Sequence, residues 1–377
     1  MSPPRILISA AEASGDRLAA ELLLALRARF GEVQARGLAG PRMRELGVEV
    51  VARAEEVNVM GVAEVLRHLP RIRRARAAMQ AAVDQAAGDP AAGDQAAGDQ
   101  GADALVVVDA PDLHLPLAAR AKARGIPVIG IVSPQVWAWR RSRVHRIAAS
   151  MDRLCCLFSF EPAVYADVQA GGFRAIWTGH PVVDRLPRRD PAAVDPDLWA
   201  LLPGSRAQEL RRHLGPFLEA AALLRQQRQG ARFLLASPAP PPGLPDWVRV
   251  VPSVQELSAC RGALTKSGTV TLELAVLGLP MVVAHRVHPL TYALGRLLVR
   301  QVHHVALPNV LADQAAGRKV TAVVPEHLQH LHPQALAQEL LALPQVQPVD
   351  LSPLGPPGAA ERAAAVVAEV LGLPQTG

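Results

Sequence analysis

Apolar residues in this chain recur at two spacings that alternate along it. Arg5–Ala10 is a short, mainly apolar run, as a buried strand requires. Ser14–Arg29 follows with Leu18, Leu22, Leu23 and Leu26 on one helical face. Val33–Leu38, Ala104–Val108, Pro127–Val132 and Arg153–Leu157 repeat the strand pattern. The pattern then restarts. Leu198–Leu202 reads as a strand, a helix opens near Ala207, and strands centre near Phe233, Val248 and Met281. Ala359–Leu371 is a helical run after the Pro/Gly-rich stretch 351–358. Strands alternating with helices predict βαβ units around mostly parallel sheets. The fold class is therefore α/β, doubly wound, with ligands expected just beyond the carboxyl ends of the strands.

Two Rossmann-like domains with a cleft between them account for the restart. The first takes residues 1–186 and the second 187–355, and a C-terminal helix in 356–377 is expected to return to the first domain. The stretch Pro187–Asp197, rich in proline and charge, reads as the linker. Between Asp84 and Asp103 the quartet Ala-Ala-Gly-Asp recurs at 86–89, 91–94 and 96–99. Such a tract has little to bury and reads as a solvated insertion.

Composition then narrows the partners. Aromatic residues are 3% of 377, too few for a platform that stacks single-stranded bases, so no nucleic-acid partner is expected. Of 40 basic residues only Lys122, Lys266 and Lys319 are lysines, and the net charge is +6. That balance suits an anionic partner, phosphorylated or lipidic, although an Arg- and Ala-heavy composition accounts for it as well. Cys155, Cys156 and Cys260 make neither a disulfide framework nor a CxxC zinc site, as expected in a reducing compartment. The apolar start is followed at once by Glu12 and Asp16, unlike an export signal. The longest apolar stretch, Val270–Ala284, is broken by Glu273 and Pro280 and falls short of the ~18 residues of a span. A cytoplasmic protein is expected, one that touches a membrane surface.

Five segments carry candidate chemistry. Ala10-Ala-Glu12-Ala-Ser14-Gly15-Asp16 runs from a strand end into a helix, with Ser14 placed as N-cap and amides open to a phosphate or sugar hydroxyl. In Val106-Val-Val-Asp109-Ala-Pro-Asp112 a fully apolar strand ends in two carboxylates. Asp109 would face the cleft, where partial desolvation makes it a better base, while Asp112 fits a cap. Ser133-Pro-Gln-Val-Trp137-Ala-Trp139-Arg140 leads into a basic cluster, with Trp137 for an acyl or sugar pocket and Arg140 for phosphate. Gly204-Ser205-Arg206 opens a helix and offers amides plus a fixed cation to an anion, without the lysine and length of a Walker loop. Ser267-Gly268-Thr269 can present amides and hydroxyls to a diphosphate, and Glu273, one turn on, has the reach for two ribose hydroxyls. Each of these segments also has a plain reading as a helix cap or a buried anchor.

Two patterns imitate metal sites. Asp195-Pro-Asp197 spells DxD but falls in the linker, and His327, His330 and His332 follow Pro325 in what reads as a polar helix without a fourth ligand. No metal or other cofactor is expected.

Taken together, Ala11–Asp16, Ala39–Met43, Val59–Leu66, Val108–Leu113, Val132–Arg143, Thr178–Pro181, Leu201–Arg206, Ser267–Glu273 and Ala306–Leu311 resemble the lipid-A-disaccharide synthase family. The run Ser-Pro-x-Val-Trp-Ala-Trp-Arg is the most distinctive, and the likeness spans roughly residues 5 to 330. Where the family reads Gly-Glu-Thr/Ser-Ser-Gly-Asp, this chain has Ala11 and Ala13. The resemblance implies an inverting glycosyltransferase of GT-B fold that moves 2,3-diacylglucosamine from its UDP donor to 2,3-diacylglucosamine 1-phosphate at the inner face of the inner membrane. It implies Asp109 as base and Arg206 as the cation facing the diphosphate. Gly204, Ser205, Ser267, Gly268, Thr269, Glu273 and Asn309 fall on the donor side. Glu12, Ser14, Gly15, Asp16, Trp137 and Arg140 fall on the acceptor side. A homodimer is left open. Two rivals share the fold: a UDP-N-acetylglucosamine 2-epimerase-like isomerase, which needs no lipid acceptor, and a non-catalytic sugar-nucleotide- or lipid-binding relative. Membrane contact is expected from Val59–Leu66 followed by Arg67, Arg71, Arg73, Arg74 and Arg76, with Pro70 breaking the helix into two short segments.

Overall fold

The structure, a computed structural model, describes residues 3–57, 62–87, 101–169, 171–238, 240–289, 292 and 303–373. Residues 88–100, which carry all but the first two residues of the Ala-Ala-Gly-Asp repeats, and the apolar segment from Val59 to Gly61 lie outside them. Two compact units emerge, one of Met1–Pro181 with Leu354–Gly377 and the other Val182–Pro353.

Unit 1 alternates strand and helix: β1 (Arg5–Ala10), α1 (Ala13–Phe30), β2 (Gln34–Ala39), α2 (Pro41–Glu45), β3 (Glu49–Arg53), α3 (Val62–Ala86), β4 (Ala104–Val108), α4 (Pro111–Lys122), β5 (Val128–Ile131), α5 (Arg143–Ser150), β6 (Arg153–Cys156), α6 (Glu161–Val164) and β7 (Arg174–Trp177). The strands form one parallel sheet in the order β3-β2-β1-β4-β5-β6-β7. Both faces are covered, which is why β4 is continuously apolar and β1 is apolar from Ile6 to Ala10 except for Ser9. Leu7, Leu105 and Val107 face one core with Met79, Val83, Leu115 and Ile147. Ile6, Ile8, Val106 and Val108 face the other, with Leu22, Leu23 and Leu26 of α1. Each such fully buried aliphatic contributes roughly 1.5–3 kcal/mol. The helix α12 (Ala359–Val370, the last described) completes that second face through Ala363, Ala364 and Val367. Arg362 donates to the Thr178 carbonyl (2.8 Å) and Arg153 pairs with Glu369 (2.8 Å), tying this late helix to β6 and the end of β7.

Unit 2 holds α7 (Val182–Arg185), β8 (Asp195–Leu202), α8 (Ala207–Gln227), β9 (Arg232–Ala236), β10 (Val248–Val251), β11 (Cys260–Thr265), α9 (Val270–Leu277), β12 (Met281–His285), α10 (Leu307–Ala316), β13 (Glu326–Leu328) and α11 (Pro333–Ala342). Its sheet is also parallel, ordered β10-β9-β8-β11-β12-β13. Leu201, Phe217, Leu224, Leu336 and Leu340 fill one face, and Leu202, Leu274, Leu277, Met281 and Val283 the other.

Several local expectations are corrected. Pro70 does not break the chain: α3 is one helix with Pro70 inside it, and Ala75, Met79 and Val83 hold its later turns on the core. The Asp195-Pro-Asp197 motif is the start of β8, and its carboxylates pair with Arg232 and Arg228. His327 lies on β13 and bonds Glu339 at 2.8 Å, and His330 and His332 stack on each other in the loop after it; there is no polar helix. The N-cap of α1 is Glu12, so Ser14 sits exposed within the first turn.

Candidate active site

At the carboxyl end of unit 1's sheet the backbone is strained. Among the described residues, five other than glycine have positive φ, and four of them are Asp109 (53°), Ala110 (46°), Val132 (78°) and Arg140 (55°). All four follow β4 or β5. A β-branched residue such as Val132 pays heavily for that region, and such conformations persist where the surroundings over-determine them. Asp109 N–H donates to the Ile131 carbonyl at 2.9 Å, and Val132 N–H to that of Cys155 at 3.0 Å, so the ladder itself holds these turns.

His114 holds the Asp109 turn from the other side. Its Nδ1–H donates to the Asp109 carbonyl at 2.6 Å, which leaves Nε2 to accept from the Ser9 hydroxyl at 2.9 Å. Both His114 and Ser9 are buried. Burial pushes the His114 pKa down to about 4, against the Asp109 carbonyl, so the ring is neutral at pH 7. The Asp109 carboxyl is half-buried, and desolvation raises its pKa while the Ala110 amide opposes the rise. A carboxylate short of water and of ion-pair partners is a stronger base than a solvated one.

The neighbouring loop is tied to the same place. Asp112, two residues into α4's sequence, takes Arg143 at 2.6 Å and Arg140 at 3.8 Å. The Arg140 guanidinium lies 4.2 Å from the Trp139 ring, a cation–π contact on a half-exposed indole. Trp137 packs edge-on against Phe160 at 5.5 Å. Its indole N–H is buried beside Glu161 without completing a hydrogen bond. Glu161 is 2% exposed and accepts from the Leu157 and Phe158 amides, and burial nevertheless raises its pKa to about 7.

The first motif divides in two. Glu12 and Ser14 lie at the open start of α1. Asp16 is buried and spends both oxygens on α2, accepting from Arg42 N–H (2.9 Å) and Met43 N–H (3.2 Å). A Cβ on Gly40 would lie 2.4 Å from that carboxyl carbon, so the N-terminus of α2 needs its glycine. Asp16 thus holds the α1–α2 corner instead of offering its carboxylate to a ligand. Gly15 packs in ordinary contact on Ala10 and Val108.

In unit 2 the expected anion cradle is filled from within. Glu209 Oε2 accepts from Ser205 N–H (3.1 Å) and Arg206 N–H (3.3 Å), closing a cap on α8. Gly204 has φ 113°, and a Cβ there would lie 2.5 Å from the Glu209 side chain, which no other residue could accommodate. Glu209 Oε1 accepts from Lys266 Nζ at 3.0 Å, linking this turn to the Gly268 turn. Burial would raise the Glu209 pKa, but Lys266 and the two amides outweigh it and hold it below the usual range. The Ser267 hydroxyl donates to the Val305 carbonyl, Thr269 is exposed at the start of α9, and Glu273 lies half-buried in that helix. Asn309 is fully buried: its amide donates to Val324 O and Glu326 and accepts from the Val323 and Val324 amides at 2.8–2.9 Å. It braces the loop before β13 and keeps no polar atom for a donor.

Pattern reading missed His114, Ser9, Lys266 and Glu326. Lys266 directly precedes the Ser267-Gly268-Thr269 motif, and His114 lies in the first turn of α4, five residues after Asp109, a nearness that would have flagged it. Ser9 and Glu326 gave no signal, because only the sheet and the loop packed on β13 bring them to their partners.

A family model described as lipid-A-disaccharide synthetase matches residues 6–242 and 247–343. Lipid-A-disaccharide synthase of Myxococcus xanthus is 37% identical, with 98% of each chain covered. The chain belongs to the lipid-A-disaccharide synthase family. It is accordingly a hexosyltransferase. The Neisseria meningitidis synthase is 38% identical over 87% of this chain and 85% of its own. Solved structures add the fold alone. A UDP co-structure of Staphylococcus aureus MnaA superposes with a TM-score of 0.60 at 12% identity, covering 100% of this chain and 98% of that one. The glycotransferase of kitacinnamycin gives 0.58 at 17%, covering 99% and 100%. The GT-B architecture is shared by transferases and epimerases, so the sequence family, and not the fold, separates this synthase from the isomerase reading.

Proposed function

We propose that the chain moves 2,3-diacylglucosamine from UDP-2,3-diacylglucosamine to 2,3-diacylglucosamine 1-phosphate with inversion, and that Asp109 is the general base. The single observation that carries this is the Asp109 carboxyl at the end of β4, desolvated and fixed by a strained turn. Its carboxylate takes the proton from the acceptor hydroxyl as that oxygen bonds the anomeric carbon and the bond to UDP breaks. Arg206 stabilises the charge that gathers on the leaving diphosphate, with Ser205 and Thr269 hydroxyls beside it and Glu273 on the ribose. His114 acts through Asp109: a neutral donor on the Asp109 carbonyl keeps the turn left-handed and the carboxylate aimed. The acceptor is held on the Glu12–Ser14 and Trp137–Arg140 side.

The same reading places the enzyme on an anionic membrane surface as a peripheral protein. Among the described residues no helix is long and apolar enough to cross a membrane. Arg71, Arg73, Arg74 and Arg76 are exposed on α3, while Ala75 and Met79 face the core, so the helix can present a cationic face at ~1 kcal/mol per arginine. Binding to vesicles with anionic lipid, weakened by salt and by Gln at positions 71, 73 and 74, is expected; a wild-type protein that stays in the supernatant at low salt contradicts it.

The base assignment is tested by Asp109→Asn. Product formation is expected to fall ~10²–10⁴-fold with UDP affinity kept, since the amide cannot accept the proton. Near-normal kcat in a folded variant would remove Asp109 from the reaction.

A further inference from the structure

Unit 2 has a concavity at the amino ends of β8 and β11, and therefore on the sheet edge away from the Gly204 and Gly268 turns. It is a cavity of about 320 Å³ lined by Arg188, Arg189 and Arg261, with Val194, Pro196 and Val346 on its apolar side. Arg189 is 9% exposed, and its guanidinium donates to the carbonyls of Cys260 and Gln345. Arg261 donates to the carbonyls of Leu343 and Pro344. Among the described residues, none of the three arginines has a carboxylate within ion-pair distance. Elsewhere in the unit Arg228 takes Asp197, Arg232 takes Asp195 and Lys266 takes Glu209.

A buried cation without a counter-charge is costly, and carbonyl bonds satisfy its protons without neutralising it. Burial and the neighbouring Arg261 charge both pull the Arg189 pKa below its ordinary value. Backbone capping explains where two of the guanidinium groups point. It does not explain why a third arginine, the exposed Arg188, stands at the same cavity, or why Val346 is 59% exposed at its rim.

We propose that this cavity binds a phosphate monoester, its phosphate on Arg188, Arg189 and Arg261 and its apolar part on Val194, Pro196 and Val346. Three arginines lining one space suit the several oxygens and the charge of a phosphate better than a single carboxylate. The site is independent of the glycosyl-transfer reading, since none of its residues serves there.

Titration calorimetry of the full chain, with UDP saturating the donor site, tests it. Decyl phosphate below its micelle concentration and inorganic phosphate are the two probes. Decyl phosphate is expected to bind, inorganic phosphate at least tenfold more weakly. Arg188→Glu is expected to weaken decyl phosphate at least tenfold and Val346→Glu several-fold, with melting temperature and UDP affinity unchanged. Both side chains are exposed, so neither change threatens the fold, and should one variant misfold the other decides. No binding of decyl phosphate by the wild type, or binding indifferent to these variants, overturns the site. Equal affinity for the two probes overturns its apolar half.

Discussion

The carboxyl edges of the two sheets are built from the same βα turn and treat their polar groups in opposite ways. In unit 1 the turn after β4 carries non-glycine residues in left-handed conformations, and its carboxylate has a raised pKa. In unit 2 the turn after β8 uses glycine at positive φ, and its carboxylate, Glu209, has a lowered pKa because Lys266 and two amides satisfy it. One edge stores strain and leaves an acid under-solvated; the other relaxes and neutralises itself. The difference fits the proposed division of labour, since a base must be reactive before substrate arrives, whereas a diphosphate pocket must only avoid unpaired charge while empty.

Breaking the unit 1 side has the largest expected effect after the base itself. His114→Leu removes the donor from the Asp109 carbonyl and leaves that carbonyl and the Ser9 hydroxyl unsatisfied; kcat is expected to fall about 10²-fold with KM for the donor nearly unchanged. His114→Asn, whose amide can replace Nδ1–H, should restore most of it. A loss of stability with kcat intact would make His114 structural only. Arg206→Ala tests the other edge: a ten- to hundredfold loss in the UDP-dependent step is expected from one charge-assisted contact of ~1.5–3 kcal/mol, read in kcat/KM for the donor, and unchanged kinetics would remove it from the site.

Acid acts with opposite signs on two buried groups of unit 1. His114 has a folded pKa of about 4 against 6.5 for the free residue, so the unfolded chain binds the extra proton between those values. Stability from this group is full above pH 6.5 and is lost as pH falls toward 4, about 3 kcal/mol over the window. Glu161 runs the other way. With a folded pKa of about 7 against 4.5, it favours the folded state at low pH and that gain is lost as pH rises from 4.5 to 7. Denaturant melts of His114→Asn and Glu161→Gln should each remove one slope, and a parent-like pH dependence in either contradicts the corresponding environment. The smallest effect is expected from Lys266→Met, which breaks the bridge between the two unit 2 turns; a loss of about 1–2 kcal/mol in stability is expected, given that both partners are about four-fifths buried.

The sequence made one side of this comparison more legible than the other. β4 is an unbroken apolar run and β1 a mainly apolar one, so their ends, and with them Asp109, could be located from the pattern alone. β11, central in its sheet, opens Cys260-Arg-Gly and was hidden by its own polar start; β3, β7 and β13 are short edge strands with weak patterns. Residue type indicated where anions could bind, but not that Glu209 already sits on the Ser205 and Arg206 amides, or that Asn309 is spent on the loop before β13. Those facts depend on side-chain partners that local spacing does not encode. Strain was equally invisible: nothing in the letters Asp109-Ala110 or Val132 announces a positive φ.

The pH profile of kcat/KM, measured for the wild type and for Asp109→Asn, tests the central claim most directly. The wild type should show an acid-side limb whose pKa lies above the ordinary aspartate value of 3.8, because the free enzyme must lose the Asp109 proton before it can act. The residual activity of Asp109→Asn should lack that limb. A limb that persists unshifted in the variant would assign the base to another residue.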